Sequence, residues 1–274
     1  MPFTAEMSPA TMDEQLNRKE ELPELRQIHE ALQGLAEVPD ELVVSRGHEL
    51  LAEISAPAVI KSLLDGVRSD PRALRAVAGQ SYRHINHFDK IVLIGSPDPA
   101  AYRLTLHSWA LPYEEDEVLE ETIHDHRFDF WSNVLFGTQV SFNYVEDPAG
   151  STYRKYRYTP ENRDVNFSEF YEYRGEVKLQ PHSVDTRHPG SQYHMLAGKE
   201  IHQVLVSFDE PMATLVLRGP RLRSYANIFN TSYPVEGKAF ANVMFTPEQL
   251  RAKLDVVCAQ LTGRVHREAR CHRA

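Results

Sequence analysis

Near residue 80 the apolar pattern changes period, and that change leaves the chain few architectures to choose from. Before it, Leu22, Leu25, Ile28, Leu32 and Leu35 recur at three- and four-residue steps, which puts one apolar stripe along a helix over 13–37. Gly34 weakens that helix and Pro39 ends it. Residues 47–66 read as one or two short helices broken near Pro57, and residues 1–12 as frayed. Asp70-Pro71 supplies an N-cap and a first helical residue for a helix through Val77.

After the change, runs of period two or of continuous β-branched residues alternate with turn residues. Ile91–Ile94 is closed by Gly95-Ser96-Pro97-Asp98-Pro99, and Tyr102, Leu104 and Leu106 share one face of the next run, which ends at Trp109. Ser132–Phe136 and Gln139–Tyr144 flank Gly137 and predict a hairpin there. Tyr153–Tyr158, Phe167–Tyr173, Glu176–Leu179, Val204–Phe208 and Ala213–Leu217 complete the series. Short strands at such spacing predict an antiparallel sandwich or barrel. Thr246-Pro247-Glu248-Gln249 then has the parts of a capping box, with Leu250, Leu254, Val257, Cys258 and Leu261 as the apolar face of a last helix that Gly263 would stop. Residues 264–274 read as a polar, mobile tail. The expected organisation is a helical extension over 1–80, a β-barrel over 81–245, and a helix with its tail over 246–274.

Composition narrows the function classes. A net charge of −9 disfavours general nucleic-acid binding, which needs a basic footprint. Residues 1–42 hold ten Asp/Glu against three Lys/Arg, and 251–274 hold six Lys/Arg against two Asp/Glu; such runs read as solvated faces. Cys258 and Cys271 lie far from every histidine pair, so neither a cysteine-rich zinc site nor a disulfide framework is expected. There is no apolar run of membrane-spanning length and no signal-peptide pattern at Met1-Pro2-Phe3-Thr4, so no membrane partner is expected and a cytoplasmic setting is the default expectation. No phosphate-binding glycine loop or nucleophile elbow is present.

The chemistry centres on His124-Asp125-His126 and on His202, 76 residues later. On a strand, residues i and i+2 face the same way, so His-x-His aims two imidazoles at one point. Imidazole is a common ligand of first-row transition metals, and a third imidazole from a neighbouring strand would leave coordination positions open. His87-Phe88-Asp89 is a second, shorter pattern, of the His-x-Asp kind used by 2-oxoglutarate oxygenases; it recurs by chance and competes with the pair at 124 and 126.

The region from about 82 to 225 resembles a cupin, a double-stranded β-helix of jelly-roll type. His124, His126 and Gly137 match the family's first motif, and Gly198 followed by His202 on a strand matches the second. The chain departs from the pattern at the carboxylate: Phe130 and Trp131 stand where the family usually has Glu, and Asp129 comes one position early. Asp129 is therefore either a further ligand or a structural neighbour of a three-histidine site, with the three-histidine set preferred. Within the family the chain is most similar to the thiol (cysteine) dioxygenase branch, through Ile123-His124-Asp125-His126, Ser81-Tyr82-Arg83-His84 and Leu106-His107-Ser108-Trp109.

That resemblance implies a mononuclear non-haem Fe(II) oxygenase, with Zn, Mn or Ni as other metals for the site, acting with dioxygen on a small carboxylated molecule such as an amino acid or thiol. Arg83 would bind the substrate carboxylate, and Asp125, Asp129 or Glu200 would orient imidazoles. Tyr193 would donate a hydrogen bond to substrate or dioxygen; it alternates with His194, so only one of the two can face the cavity. The branch's Cys–Tyr pair and its Ser-x-His-x-Tyr arrangement are missing, which argues for a relative with a different substrate. A homodimer is an assembly common among such proteins. The alternatives are a metal-dependent isomerase, lyase or hydrolase without redox chemistry, a 2-oxoglutarate-dependent oxygenase, and a binding module without catalysis.

Overall fold

In a computed structural model of the chain, the described residues are 22–84, 86, 88–110, 123–159, 171–205, 210–230 and 243–271, with 264–271 described by backbone alone. Four helices come first: α1 (Pro23–Leu35), α2 (Asp40–Ser55), α3 (Pro57–Ser69) and α4 (Pro71–Ala78). Pro57 does not break a helix but starts one, since its fixed φ suits a first helical position. Asp70 caps α4, its carboxylate accepting from the backbone N–H groups of Arg72 and Ala73 at 2.7 and 3.1 Å. The part of the first predicted helix before Leu22, and the residues expected to fray, lie outside the described residues.

Eleven strands follow among the described residues: β1 (Tyr82–Arg83), β2 (Asp89–Ile94), β3 (Arg103–Trp109), β4 (Ile123–His124), β5 (Phe128–Phe136), β6 (Gln139–Tyr158), β7 (Tyr171–Arg187), β8 (Gln192–Met195), β9 (Ile201–Leu205), β10 (Met212–Arg221) and β11 (Ala226–Asn230). They form two antiparallel sheets, ordered β1-β2-β3-β10-β5-β8 and β11-β4-β9-β6-β7. From β3 to β6 and from β7 to β11 the chain changes sheet at every step. This interleaving of β3-β10-β5-β8 with β4-β9-β6-β7 is a double-stranded β-helix, the cupin-type jelly roll expected from the sequence.

Two features of the strand series differ from expectation. The Gly137 turn is not a hairpin, because β5 and β6 lie in opposite sheets. It is a corner that carries the chain between sheets, with Gly137 at φ 74°, where a Cβ would sit 2.5 Å from the Pro211 carbonyl oxygen. The strand that β6 pairs with along its length is instead β7. The sequence suggested two strands in each of those stretches, Gln139–Tyr144 with Tyr153–Tyr158 and Phe167–Tyr173 with Glu176–Leu179. Instead Glu146 and Ser151 both pair with Leu179, so the extra residues bulge out and the ladder resumes. The Phe167–Phe170 start of one predicted strand and the Val206–Phe208 end of another lie outside the described residues.

The last helix, α5 (Pro247–Cys271), begins with the reciprocal capping box: Thr246 N–H donates to Gln249 Oε1 at 2.9 Å, and Gln249 N–H to Thr246 Oγ1 at 3.2 Å. Its backbone runs through Gly263 to Cys271 rather than ending at the glycine, since a glycine stops a helix only if its φ turns positive and otherwise costs about 1 kcal/mol. No described helix is long and apolar enough to cross a membrane.

The five helices bury their apolar stripes in one layer over the outer face of the first sheet, with α3 packed mainly on the other helices. One cluster joins Leu25, Leu32, Leu63, Leu74 and Leu254 to Leu104, Leu106, Trp131, Leu215 and Leu217. Trp131 anchors it, its indole N–H donating to the Val44 carbonyl at 3.0 Å. A Cβ on Gly47 would come within 2.4 Å of that indole, so the glycine is what lets α2 lie so close to β5. With its outer face covered, the first sheet turns its other face inward, toward the second sheet.

Candidate active site

The three sequence-selected histidines meet between the sheets. His124 on β4 is the direct cross-strand partner of His202 on β9, and His202 in turn faces Asn143 on β6. His126 follows in the β4–β5 turn. The ring centroids of His124 lie 4.8 Å from both partners, and those of His126 and His202 are 5.0 Å apart. One nitrogen from each falls within 4.8 Å of the other two, and the Nε2 atoms of His126 and His202 are 2.9 Å apart. Two nitrogens side by side on one ion, each about 2.1 Å from it, would be about 3.0 Å apart, so the donor set fits a divalent transition metal. Burial, reinforced by the neighbouring imidazoles, holds His126 and His202 well below the ordinary histidine range. They are neutral at physiological pH, the form that binds a metal.

The turn that carries His126 is clamped from behind. Asp125 is 2% exposed and accepts from Arg223, from the Asn227 N–H at 2.6 Å and from Asn227 Nδ2 at 2.5 Å. Arg223 also donates to the His126 carbonyl through Nε at 3.1 Å and Nη2 at 2.8 Å, and the Gly198 N–H donates to the same oxygen at 3.0 Å. Gly198 has φ 66°, and a Cβ there would strike the Arg223 guanidinium at 2.6 Å. The glycine of the second motif thus admits the arginine that fixes the first.

The other acidic candidates have separate tasks. Asp129 alternates with the cavity-facing Phe128 and Phe130, so it points to the opposite face of β5, where it accepts from the Ala197 N–H at 2.6 Å. It is outside the histidine cluster. Glu200 closes the β8–β9 turn by accepting from the Leu196 N–H. Arg83 on β1 lies 3.5 Å from Asp89, which also receives Lys253 at 2.8 Å; this pair lies away from the cavity lining. His87 of the His-x-Asp pattern lies outside the described residues.

A cavity of about 730 Å³ opens over the triad. Its histidine end is apolar, walled by Phe88, Trp109, Phe128, Phe130, Val204 and Ile228. Phe130 sits edge-on to His126 at 4.6 Å. Tyr193 lines the cavity one ring further out, 5.8 Å from Phe130, while His194 turns the other way and packs on Trp131 at 4.6 Å. The Tyr193 oxygen accepts from Gln139 Nε2 at 3.0 Å, which leaves its own O–H to donate. His107 also faces inward, opposite Lys90, and burial reinforced by that lysine keeps it well below the usual histidine range.

Sequence reasoning overlooked the far end of the cavity. Lys90, Arg103, Arg127, Arg218 and Arg221 line it, and Asp125 is the one carboxylate among the described lining residues. The signal was present in β10, where Arg218 is in phase with the inward-facing Thr214 and Val216.

No family model matches the chain, and no curated protein matches it. Solved structures do. An uncharacterised Klebsiella pneumoniae protein with a double-stranded β-helix domain aligns with 55% of this chain and 92% of its own, at 12% identity and TM-score 0.29. A DMSP lyase from Ruegeria pomeroyi aligns with 65% of this chain and 78% of its own, at 15% identity and TM-score 0.32. A hydroquinone 1,2-dioxygenase from Sphingomonas sp. TTNP3 aligns with 47% of this chain and 64% of its own, at 9% identity and TM-score 0.26. Likeness at this level does not separate one chemistry from another, so what the site can do follows from its own residues.

Proposed function

We propose that the chain is a cupin metalloenzyme whose resident metal is held by His124, His126 and His202, and that it acts as a mononuclear iron oxygenase on a small anionic substrate. The observation that carries this reading is the convergence of three imidazoles, one buried and two half-buried, at the apolar end of a cavity large enough for a small molecule. Bound Fe(II) would supply redox chemistry with dioxygen at the positions the three histidines leave open.

The chain's own residues account for the rest. Phe88, Trp109, Phe128 and Phe130 exclude water from the space beside the imidazoles, which strengthens electrostatic interactions there. Asp125 and Arg223 hold the His126 turn in place, so ligand geometry does not depend on a mobile loop. Tyr193, with its oxygen engaged by Gln139, presents its hydroxyl proton to the substrate and fixes its orientation.

Metal analysis of the purified protein, and oxygen uptake after anaerobic loading with Fe(II), test the proposal. One equivalent of iron and substrate-dependent oxygen consumption are expected, both lost in His124→Ala and His202→Ala. Turnover that is equally fast with zinc would replace the oxygenase by Lewis-acid chemistry at the same histidines. Failure of the wild type to retain any divalent metal would remove the metalloenzyme reading altogether.

A further inference from the structure

The cation-rich end of the cavity carries an inference that rests on the proposed metal site and goes beyond it. Arg218 on β10 is the direct cross-strand partner of Arg103 on β3. Both guanidiniums line the same end of the cavity. Arg218 is only 7% exposed, and its Nε and one terminal nitrogen have no hydrogen-bond partner among the described residues. A buried, unsatisfied guanidinium is costly, and none of the described cavity-lining residues offers a free carboxylate, since Asp125 is spent on Arg223 and Asn227. Burial, reinforced by Arg103, Arg221 and Arg127, pushes Arg218 down to about 9, so it remains charged at neutral pH.

The position suits a substrate held at the triad. The Phe128 ring lies 4.4 Å from the Arg218 guanidinium and 5.8 Å from the His126 ring, so the cation and the imidazole are within about 10 Å of each other. That span fits a molecule the size of an amino acid or a small phosphate ester. We propose that Arg218, backed by Arg103, Arg127 and Arg221, is the subsite for the oxyanion group, carboxylate or phosphate, of the molecule that reacts at the histidine triad. This assigns the anion to β10 rather than to Arg83, whose guanidinium already has Asp89 beside it. A guanidinium fork binds either oxyanion with two parallel hydrogen bonds, and binding satisfies donors that are otherwise buried without partners.

Thermal stability of the full chain, measured against phosphate, malonate and chloride at matched ionic strength, tests the assignment. Phosphate, malonate or both are expected to raise the Tm of the wild type where chloride does not; which one does so distinguishes a phosphorylated from a carboxylated substrate. Arg218→Met is expected to weaken oxyanion binding at least tenfold and to melt no lower than the wild type without oxyanion, because it removes an uncompensated buried charge. Arg218→Lys keeps the charge and loses the fork, and is expected to fall between the two. In His124→Ala, which impairs only the metal site, the oxyanion effect should persist, so failure of the metal reading and failure of this one are separable. The assignment is overturned if neither oxyanion stabilises the wild type, if Arg218→Met binds as well as the wild type, or if His124→Ala abolishes the effect.

Discussion

Replacing Asp125 by Asn tests whether the histidine triad is held from behind. The substitution keeps shape and removes one charge. Asp125 accepts from three donors, namely the Arg223 guanidinium and the backbone and side-chain N–H groups of Asn227. An asparagine must turn an NH2 toward at least one of them. Breaking a buried ion pair costs about 3–5 kcal/mol, but Arg223 keeps a fifth of its side-chain surface in solvent, so the lower end applies. At about 2–4 °C per kcal/mol for a chain of this size, Tm should fall by about 6–12 °C. Because Arg223 also binds the His126 carbonyl, metal affinity should fall about 10- to 100-fold, as it does when ligand-orienting partners are lost. Thermal melts of the metal-free protein give the first quantity, and competitive metal titration the second. If the two residues act as a unit, Asp125→Asn combined with Arg223→Gln should cost about 1–3 kcal/mol less than the sum of the single changes. An unchanged Tm together with metal affinity within twofold of the wild type would refute the clamp.

Two further outcomes follow from the same structure. Gly137→Ala should destabilise the chain by about 2 kcal/mol or more in denaturant titrations, because the corner requires φ 74° and the new methyl would press on the Pro211 carbonyl; an effect below about 0.5 kcal/mol would show that the corner relaxes freely. His107 is pushed well below 6.5 by burial, so as pH falls under 6.5 the unfolded chain takes up a proton that the folded chain refuses. Its contribution is intact above pH 6.5 and is lost toward the lowered value. His107→Gln should therefore flatten the acid side of the stability–pH curve by about 1.4 kcal/mol per pH unit, and an unchanged slope would mean the ring is charged when folded.

What was legible in the sequence was whatever depends on near neighbours along the chain. Asp70 and Thr246 cap helices because a side chain three residues from its donor needs no tertiary partner. His124 was paired with His126, and Tyr193 set against His194, because strand alternation is a local property. Which of Tyr193 and His194 faces the cavity was not local; the helices decided it by covering the face that carries Trp131 and His194. The Gly137 corner reads as a hairpin in the sequence because a turn residue announces a reversal without naming the sheet that receives the next strand. The β6–β7 bulge was hidden because Pro148 and Gly150 break a strand only when its ladder cannot accommodate extra residues.

The sequence by itself determined the helical and strand periods, the capped helix starts and the His124–His126 pair, since each follows from spacings of a few residues, while His202, 76 residues on, came from resemblance to a second family motif. The tertiary structure alone decided that Arg218 would stand opposite Arg103 and that Asp125 would be gripped by Arg223 and Asn227, each across about a hundred residues of chain. Pairing in a double-stranded β-helix joins strands that are distant in the chain, and register, rather than composition, sets which charges must face each other.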